Sequence, residues 1–215
     1  MSLAATLWAD YAEYARAALA HPCVRGLGDG SLPRRLFQAY ILQDAYFLDA
    51  FARAYALALA RCPDRQGLRD FCALLSGAVD ELQLHASYAA RWGVAAELEN
   101  VKPTQATLAY TDFLLSTAAL GSVGETCAAM TPCMRLYAYL GQQLAASGAA
   151  NAANPYAEWV HTYASKEFAQ LAATLERLLD RYGDDQAAVR TAYRRAMTLE
   201  LNFFEAAQRP DLHPD

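Results

Sequence analysis

Three stretches of the chain put reactive groups where a helix would otherwise bury only hydrocarbon. In MTPCMRLYAYL, residues 130–140, Pro132 directly precedes the thiol of Cys133, with helix-forming residues on both sides. A proline removes one backbone N–H and crowds the carbonyl four residues back, here that of Ala128, at a cost of about 3 kcal/mol. Two backbone solutions are open: a kinked helix that continues, or one that ends and restarts with Thr131 as N-cap. Either can aim Cys133 into a cavity. In YILQDAYFLDAF, residues 40–51, helical spacing places Tyr40, Asp44, Phe47, Leu48 and Phe51 on one side. A carboxylate on such a face must be paired or hydrogen-bonded, otherwise desolvation raises its pKa, so Asp44 is a structural anchor or a ligand hook. In TLELNFFEAA, residues 198–207, Glu200 shares its face with Met197, Phe203 and Phe204, whereas Glu205 points elsewhere. A carboxyl group so placed can titrate near neutrality and fits general acid–base work; a salt bridge to an arginine is the alternative.

Aromatic residues surround these groups along the helices. Cys133 and Tyr137 are four apart and share a face, and Tyr156, Trp159 and Tyr163 follow at spacings of three and four. Such stripes are usually core. Yet 13 tyrosines against 8 phenylalanines supply rings with polar rims, suited to a flat heteroaromatic ligand. Glu81 and His85, in DELQLH, stand at i and i+4 and could share a metal. Di-iron bundles use paired Glu-x-x-His motifs, and no second copy is present, so an ion pair or hydrogen bond that pins the helix is the expected role. His21, ahead of Pro22, has nothing beyond its being a histidine to suggest a haem ligand.

The elements that must position these groups read as helices throughout. Residues 3–19 carry an apolar stripe at helical spacing, and 21–33 is turn-rich, with Gly26, Gly28 and Gly30 able to take positive φ. Ser31 is expected to cap a long helix running to about Cys62. Pro63 and Asp64 start the next, which reaches about Trp92, and a short helix near 94–99 follows. Lys102-Pro103-Thr104 opens a helix that stops at Gly121, and Ser122 with Glu125 forms a capping box for the segment that holds Cys133. A helix from Asn154-Pro155 to Gly183 and a last one capped by Asp184 or Asp185, ending near Gln208, complete seven to eight helices. The expectation is an all-α single domain over 1–208 with a flexible tail at 209–215.

Composition agrees. The 215 residues suit one domain, alanine and leucine dominate, and β-branched residues are few. A net charge of −5, with 18 basic residues spread along the chain, argues against nucleic acid and anionic membrane as partners. No apolar run reaches the roughly 18 residues of a membrane span, and Asp10 and Glu13 interrupt the N-terminal apolar pattern, unlike a signal peptide. Five cysteines without a C-x-x-C pair point to reduced thiols and a cytoplasmic protein, and away from a disulfide scaffold or a zinc site.

Seven blocks in order, HP-x-V-x-G-x-GDG-x-LP (21–33), LQD-x-YFL (42–48), E-x-x-LH (81–85), AYTDFLL (109–115), PC-x-x-x-Y (132–137), W-x-x-x-Y (159–163) and E-x-x-FF (200–204), resemble the TenA family. That family comprises aminopyrimidine aminohydrolases, also called thiaminase II, with a haem-oxygenase-like helical bundle. The resemblance implies a small-molecule aminopyrimidine substrate, thiamin or its aminomethyl breakdown product, turned into the hydroxymethylpyrimidine in thiamin salvage. It implies no cofactor and no metal, and a homotetramer. Cys133 would be the nucleophile that adds to the pyrimidine ring and Glu200 the proton shuttle. Asp44 would bind the 4-amino group and adjacent ring nitrogen, and Tyr110, Tyr137 and Tyr163 would line the pocket. The sequence departs from the family at Phe47, where a tyrosine commonly stands, which keeps a stacking surface and loses a hydroxyl contact. If the helix restarts at Pro132, exposed N–H groups favour the Cys133 thiolate. Two rivals remain: a metal oxidase using Glu81, His85 and further carboxylates, and a pyrimidine-binding protein without turnover.

Overall fold

The computed structural model describes residues 1–184 and 187–208. Among them are ten α-helices, one 3-10 helix and no strand, so the all-α expectation holds while the count exceeds seven to eight. The surplus comes from short interruptions. The stripe over 3–19 divides into α1 (Leu3–Asp10) and α2 (Ala12–Ala20) at Tyr11. The turn-rich stretch after it is helical, α3 (Pro22–Asp29), because Pro22 suits a first helical position and the His21 ring Nδ1 accepts from the Cys23 N–H at 3.2 Å. Of its glycines only Gly30 takes positive φ, at +79°, and it ends the helix.

Two 28-residue helices follow, α4 (Arg34–Arg61) and α5 (Arg65–Trp92). Pro33, and not Ser31, stands at the start of α4; the Ser31 N–H instead donates to Asp29 at 2.9 Å. Asp64 caps α5 as expected, accepting from the Gln66 and Gly67 N–H groups at 3.0 Å each. The 3-10 helix Ala95–Asn100 leads to α6 (Gln105–Leu120), capped by Thr104. The helix expected over 154–183 is two, α8 (Ala157–Ala164) and α9 (Lys166–Tyr182), because Ser165 turns extended and caps the second by accepting from the Phe168 N–H at 3.1 Å. Helix α10 (Ala187–Ala207) closes the bundle. Asp185 as a cap and the tail at 209–215 lie outside the described residues.

Helix α7 (Val123–Ala146) is the central element, packed against α8, α9 and α10. Its capping box forms as the sequence expects, with Ser122 Oγ accepting from the Glu125 N–H at 3.0 Å and Glu125 Oε2 accepting from the Ser122 N–H at 2.7 Å. The helix continues through Pro132 without restarting, so Thr131 is no N-cap; its hydroxyl donates to the Cys127 carbonyl at 2.7 Å. A β-carbon added at Gly141 would meet the Tyr163 carbonyl carbon at 2.4 Å, so only glycine lets α7 approach α8 closely enough to bring Tyr163 beside Tyr137.

Candidate active site

The middle of α4 supplies Asp44, the middle of α7 supplies Cys133, and α10 supplies Glu200, each buried as the apolar spacing of its helix dictates. Asp44 and Cys133 line a small cavity with Phe47, Glu81, Tyr137 and Tyr163, and Glu200 lies behind Cys133. A wider hollow of about 880 Å³ lies between Arg25 and Asn154, but it opens on solvent and its lining holds no thiol, imidazole or buried carboxylate. The thiol and the buried carboxyl groups are at the smaller one.

Around Asp44 the hydrogen bonds converge on one oxygen. Oδ2 lies 2.6 Å from His85 Nε2 and accepts from the Tyr40 hydroxyl at 3.0 Å. Tyr40 in turn accepts from the Trp159 indole N–H at 3.2 Å and stands 3.5 Å from the Tyr137 hydroxyl. Oδ1 makes no hydrogen bond among the described residues and is the oxygen left for a ligand. Glu81, on the same helix as His85, accepts from the Tyr163 hydroxyl at 2.8 Å. Burial first, and the charge of Asp44 second, push the Glu81 carboxyl up to about 7, against the pull of His85 and Tyr163.

On the other side, Glu200 Oε1 accepts from the Tyr110 hydroxyl at 2.6 Å, and Glu200 and the Cys133 thiol are near enough to shift each other's titration. Burial pushes Glu200 up to about 8, with Asp44 adding to the shift and the bonds from Tyr110 and Cys133 opposing it. The Cys133 thiol is held above its ordinary range, by burial first and then by the negative charges of Glu200, Glu81 and Asp44. Of the two backbone solutions the sequence leaves open, the continuous helix is the one present, so Cys133 is mid-helix, away from the free N–H groups of a helix start, and its thiol is held protonated. A thiol so held needs a base beside it to act as a nucleophile, and Glu200 is the carboxyl group placed next to it.

All seven residues singled out in the sequence gather here, with two adjustments. Tyr110 does not line the cavity; it orients Glu200 and packs its ring on Phe47 at 4.7 Å between centroids. Glu200 reaches the cavity through Cys133, and no arginine pairs with it among the described residues. Sequence reasoning undervalued Glu81 and His85. Their pinning contact exists, but it joins His85 Nδ1 to the Glu81 backbone carbonyl at 3.0 Å and leaves the Glu81 carboxylate to the cavity. The available signal was that both lie on the buried stripe of α5 with Ala78 and Tyr88. Tyr40 and Trp159 read as core and are core, yet their polar edges support Asp44. No group of three or more His, Cys, Asp and Glu among the described residues is placed to hold a metal.

Comparison with known proteins gives this geometry its relatives. The TENA/THI-4/PQQC family model matches residues 6–209. The chain is 36% identical over 214 residues to an aminopyrimidine aminohydrolase of Halalkalibacterium halodurans, with 96% of each chain covered. It is 30% identical over 161 residues to an aminopyrimidine aminohydrolase of Bacillus subtilis, covering 74% of this chain and 67% of the relative. Among solved structures it is similar to a TenA homologue of P. horikoshii OT3, with a TM-score of 0.89 and 26% identity over 97% of this chain and 99% of the other. A domain with a heme oxygenase-like fold from Shewanella denitrificans matches at a TM-score of 0.78 and 16% identity, covering 96% and 92%. The bundle is thus haem-oxygenase-like, and the chain belongs to the TENA/THI-4/PQQC family.

Proposed function

We propose that the chain is an aminopyrimidine aminohydrolase that converts 4-amino-5-substituted pyrimidines, thiamin or its aminomethyl breakdown product, into the hydroxymethylpyrimidine in thiamin salvage. The observation that carries this is the convergence of Cys133, Glu200 and Asp44 on one aromatic-walled cavity, in a chain whose relatives bear that name. The ring stacks among Phe47, Tyr137 and Tyr163 and places its 4-amino N–H on Asp44 Oδ1. Because Oδ2 already serves His85 and Tyr40, the adjacent ring nitrogen takes its donor from Tyr137, whose hydroxyl donates to nothing among the described residues. This departs from two-point binding by Asp44 alone.

The reaction then runs by proton transfer between neighbours. Glu200 accepts the thiol proton as the Cys133 sulfur bonds to a ring carbon, and the same proton passes to the amine that leaves the exocyclic methylene. Water adds to that methylene and gives Glu200 a proton, which returns to sulfur as the carbon–sulfur bond breaks. For the aminomethyl substrate the balance is substrate amine plus water to alcohol plus free amine. With thiamin the thiazole leaves as a neutral ring that takes no proton, so the thiol proton passes from Glu200 to solvent and the balance is thiamin plus water to alcohol, thiazole and a proton. A group poised at about 8 can act as base and acid in turn at physiological pH.

Incubation with thiamin and with the aminomethylpyrimidine separately, followed by mass spectrometry, is expected to show hydroxymethylpyrimidine. Tight binding with no product over many hours would replace the enzyme by a carrier. The metal-oxidase rival finds little support, since both His85 nitrogens are already engaged and leave no lone pair for a metal.

We further infer one domain over 1–208, supported by a single contiguous core, and a cytoplasmic setting, supported by five unbridged cysteines. No helix among the described residues is long and apolar enough to cross a membrane. A homotetramer is proposed from the resemblance to the family, and the exposed ring of Tyr46 beside Leu82 and Leu98 offers an apolar patch for a contact between copies. Light scattering is expected to return four times the 23.5 kDa chain mass, and a monomer would end that proposal.

A further inference from the structure

His85 does not itself line the cavity, yet its surroundings define its protonation. Nδ1 lies 3.0 Å from the backbone carbonyl of Glu81, which can only accept, so Nδ1 carries a proton. Nε2 lies 2.6 Å from Asp44 Oδ2, a distance that requires a proton between them. An indole N–H only donates, so Trp159 turns the Tyr40 hydroxyl proton away from itself and toward the same Oδ2. Oδ2 thus collects two donors while Oδ1 has none among the described residues.

We propose that His85 is a positioning residue: it stands as an imidazolium in a buried ion pair with Asp44, and fixes that carboxylate so that Oδ1 alone faces the ligand. The cavity gives this pair a further purpose. Its lining holds Asp44 and Glu81, with Glu200 immediately behind Cys133, and no lysine or arginine. His85 is thus the cation available to balance three acids. The groups facing it are Asp44 from α4, itself bonded to Tyr40, and Glu81 and the ring of Tyr88, at 5.7 Å, from α5. Burial alone works against the imidazolium, but the Asp44 charge and hydrogen bond, helped by Glu81, outweigh it and raise the His85 pKa above its ordinary value.

The inference rests on the proposed aminopyrimidine site for its purpose, but the ion pair is testable without substrate. Nitrogen-15 spectra of histidine-labelled protein near pH 7.5 are expected to show both ring nitrogens of His85 protonated, with His85→Gln assigning the signal among the 4 histidines. Asp44→Asn should remove the second proton and leave a neutral ring. A pyridine-type nitrogen on His85 in the parent protein would overturn the proposal, whatever the enzyme turns over.

Kinetics supply the second arm. His85→Gln keeps a neutral donor toward Asp44, and His85→Asn keeps one toward the Glu81 carbonyl but does not reach Asp44. The expected KM for the aminopyrimidine rises about 10-fold in the first and about 100-fold in the second, with kcat changed less than about 3-fold. An unchanged KM in His85→Asn overturns the assignment. If that variant does not fold, the parent spectrum decides alone; if the parent turns over no aminopyrimidine, the spectrum still reports on the pair.

Discussion

Replacing Cys133 with alanine is expected to lower turnover at least about 10³-fold while the helical bundle persists. Among the described residues the sulfur is the only thiol on the cavity wall, and in the proposed route no bond to the ring forms without it. Cys133 borders a void, so deleting one sulfur enlarges an existing space and costs little packing. Circular dichroism and thermal melts should therefore change by a few degrees at most. Retained turnover would reject the covalent route and leave Asp44 and Glu200 to act on water directly. A collapse of the melt would instead place the residue in the core, as its mid-helix position in α7 at first sight suggests.

Glu200→Gln is expected to abolish turnover to a similar extent and, unusually, to raise stability at alkaline pH. The sign follows from the shift. The Glu200 pKa is raised from its model-compound value of 4.5 to about 8, so the folded state holds a proton that the unfolded state has already released. Its favourable contribution is complete below about 4.5 and is lost as pH rises through about 8. Glutamine carries no such proton to lose. The variant should match the parent near pH 5 and exceed it near pH 9, by up to about 5 kcal/mol and more realistically about half of that. In a chain of this size that is roughly 5–10 °C in Tm. The parent's kcat/KM should rise with pH through about 8, as the base loses its proton, and the variant's residual activity should not. A Tm that falls equally at both pH values would show that Glu200 contributes structure and not a poised proton.

Much of this was legible along the chain. Helix type followed from alanine and leucine content, and the caps at Asp64, Thr104 and Ser122 stand where short side chains precede apolar periodicity. Helix number was less legible, because breaks at Tyr11 and Ser165 need only one residue out of helical φ and ψ, too small a change to disturb an apolar stripe. Asp44 and Glu200 announced themselves as carboxylates on hydrocarbon faces, a pattern that costs free energy unless something answers it.

What answers each carboxylate depended on contacts between distant helices. Asp44 meets a histidine 41 residues away and Glu200 a tyrosine 90 residues away, separations that helical spacing does not address. The sequence by itself determined the fold class, the buried faces and the identity of the reactive groups, since these are properties of residue type and local period. Only the tertiary structure decided that α7 passes straight through Pro132, that the Cys133 thiol is a protonated group beside a base, and that one oxygen of Asp44 stays open. Burial and charge at a point are sums over every neighbour in space, and the order of residues along the chain does not contain that sum until the chain has folded.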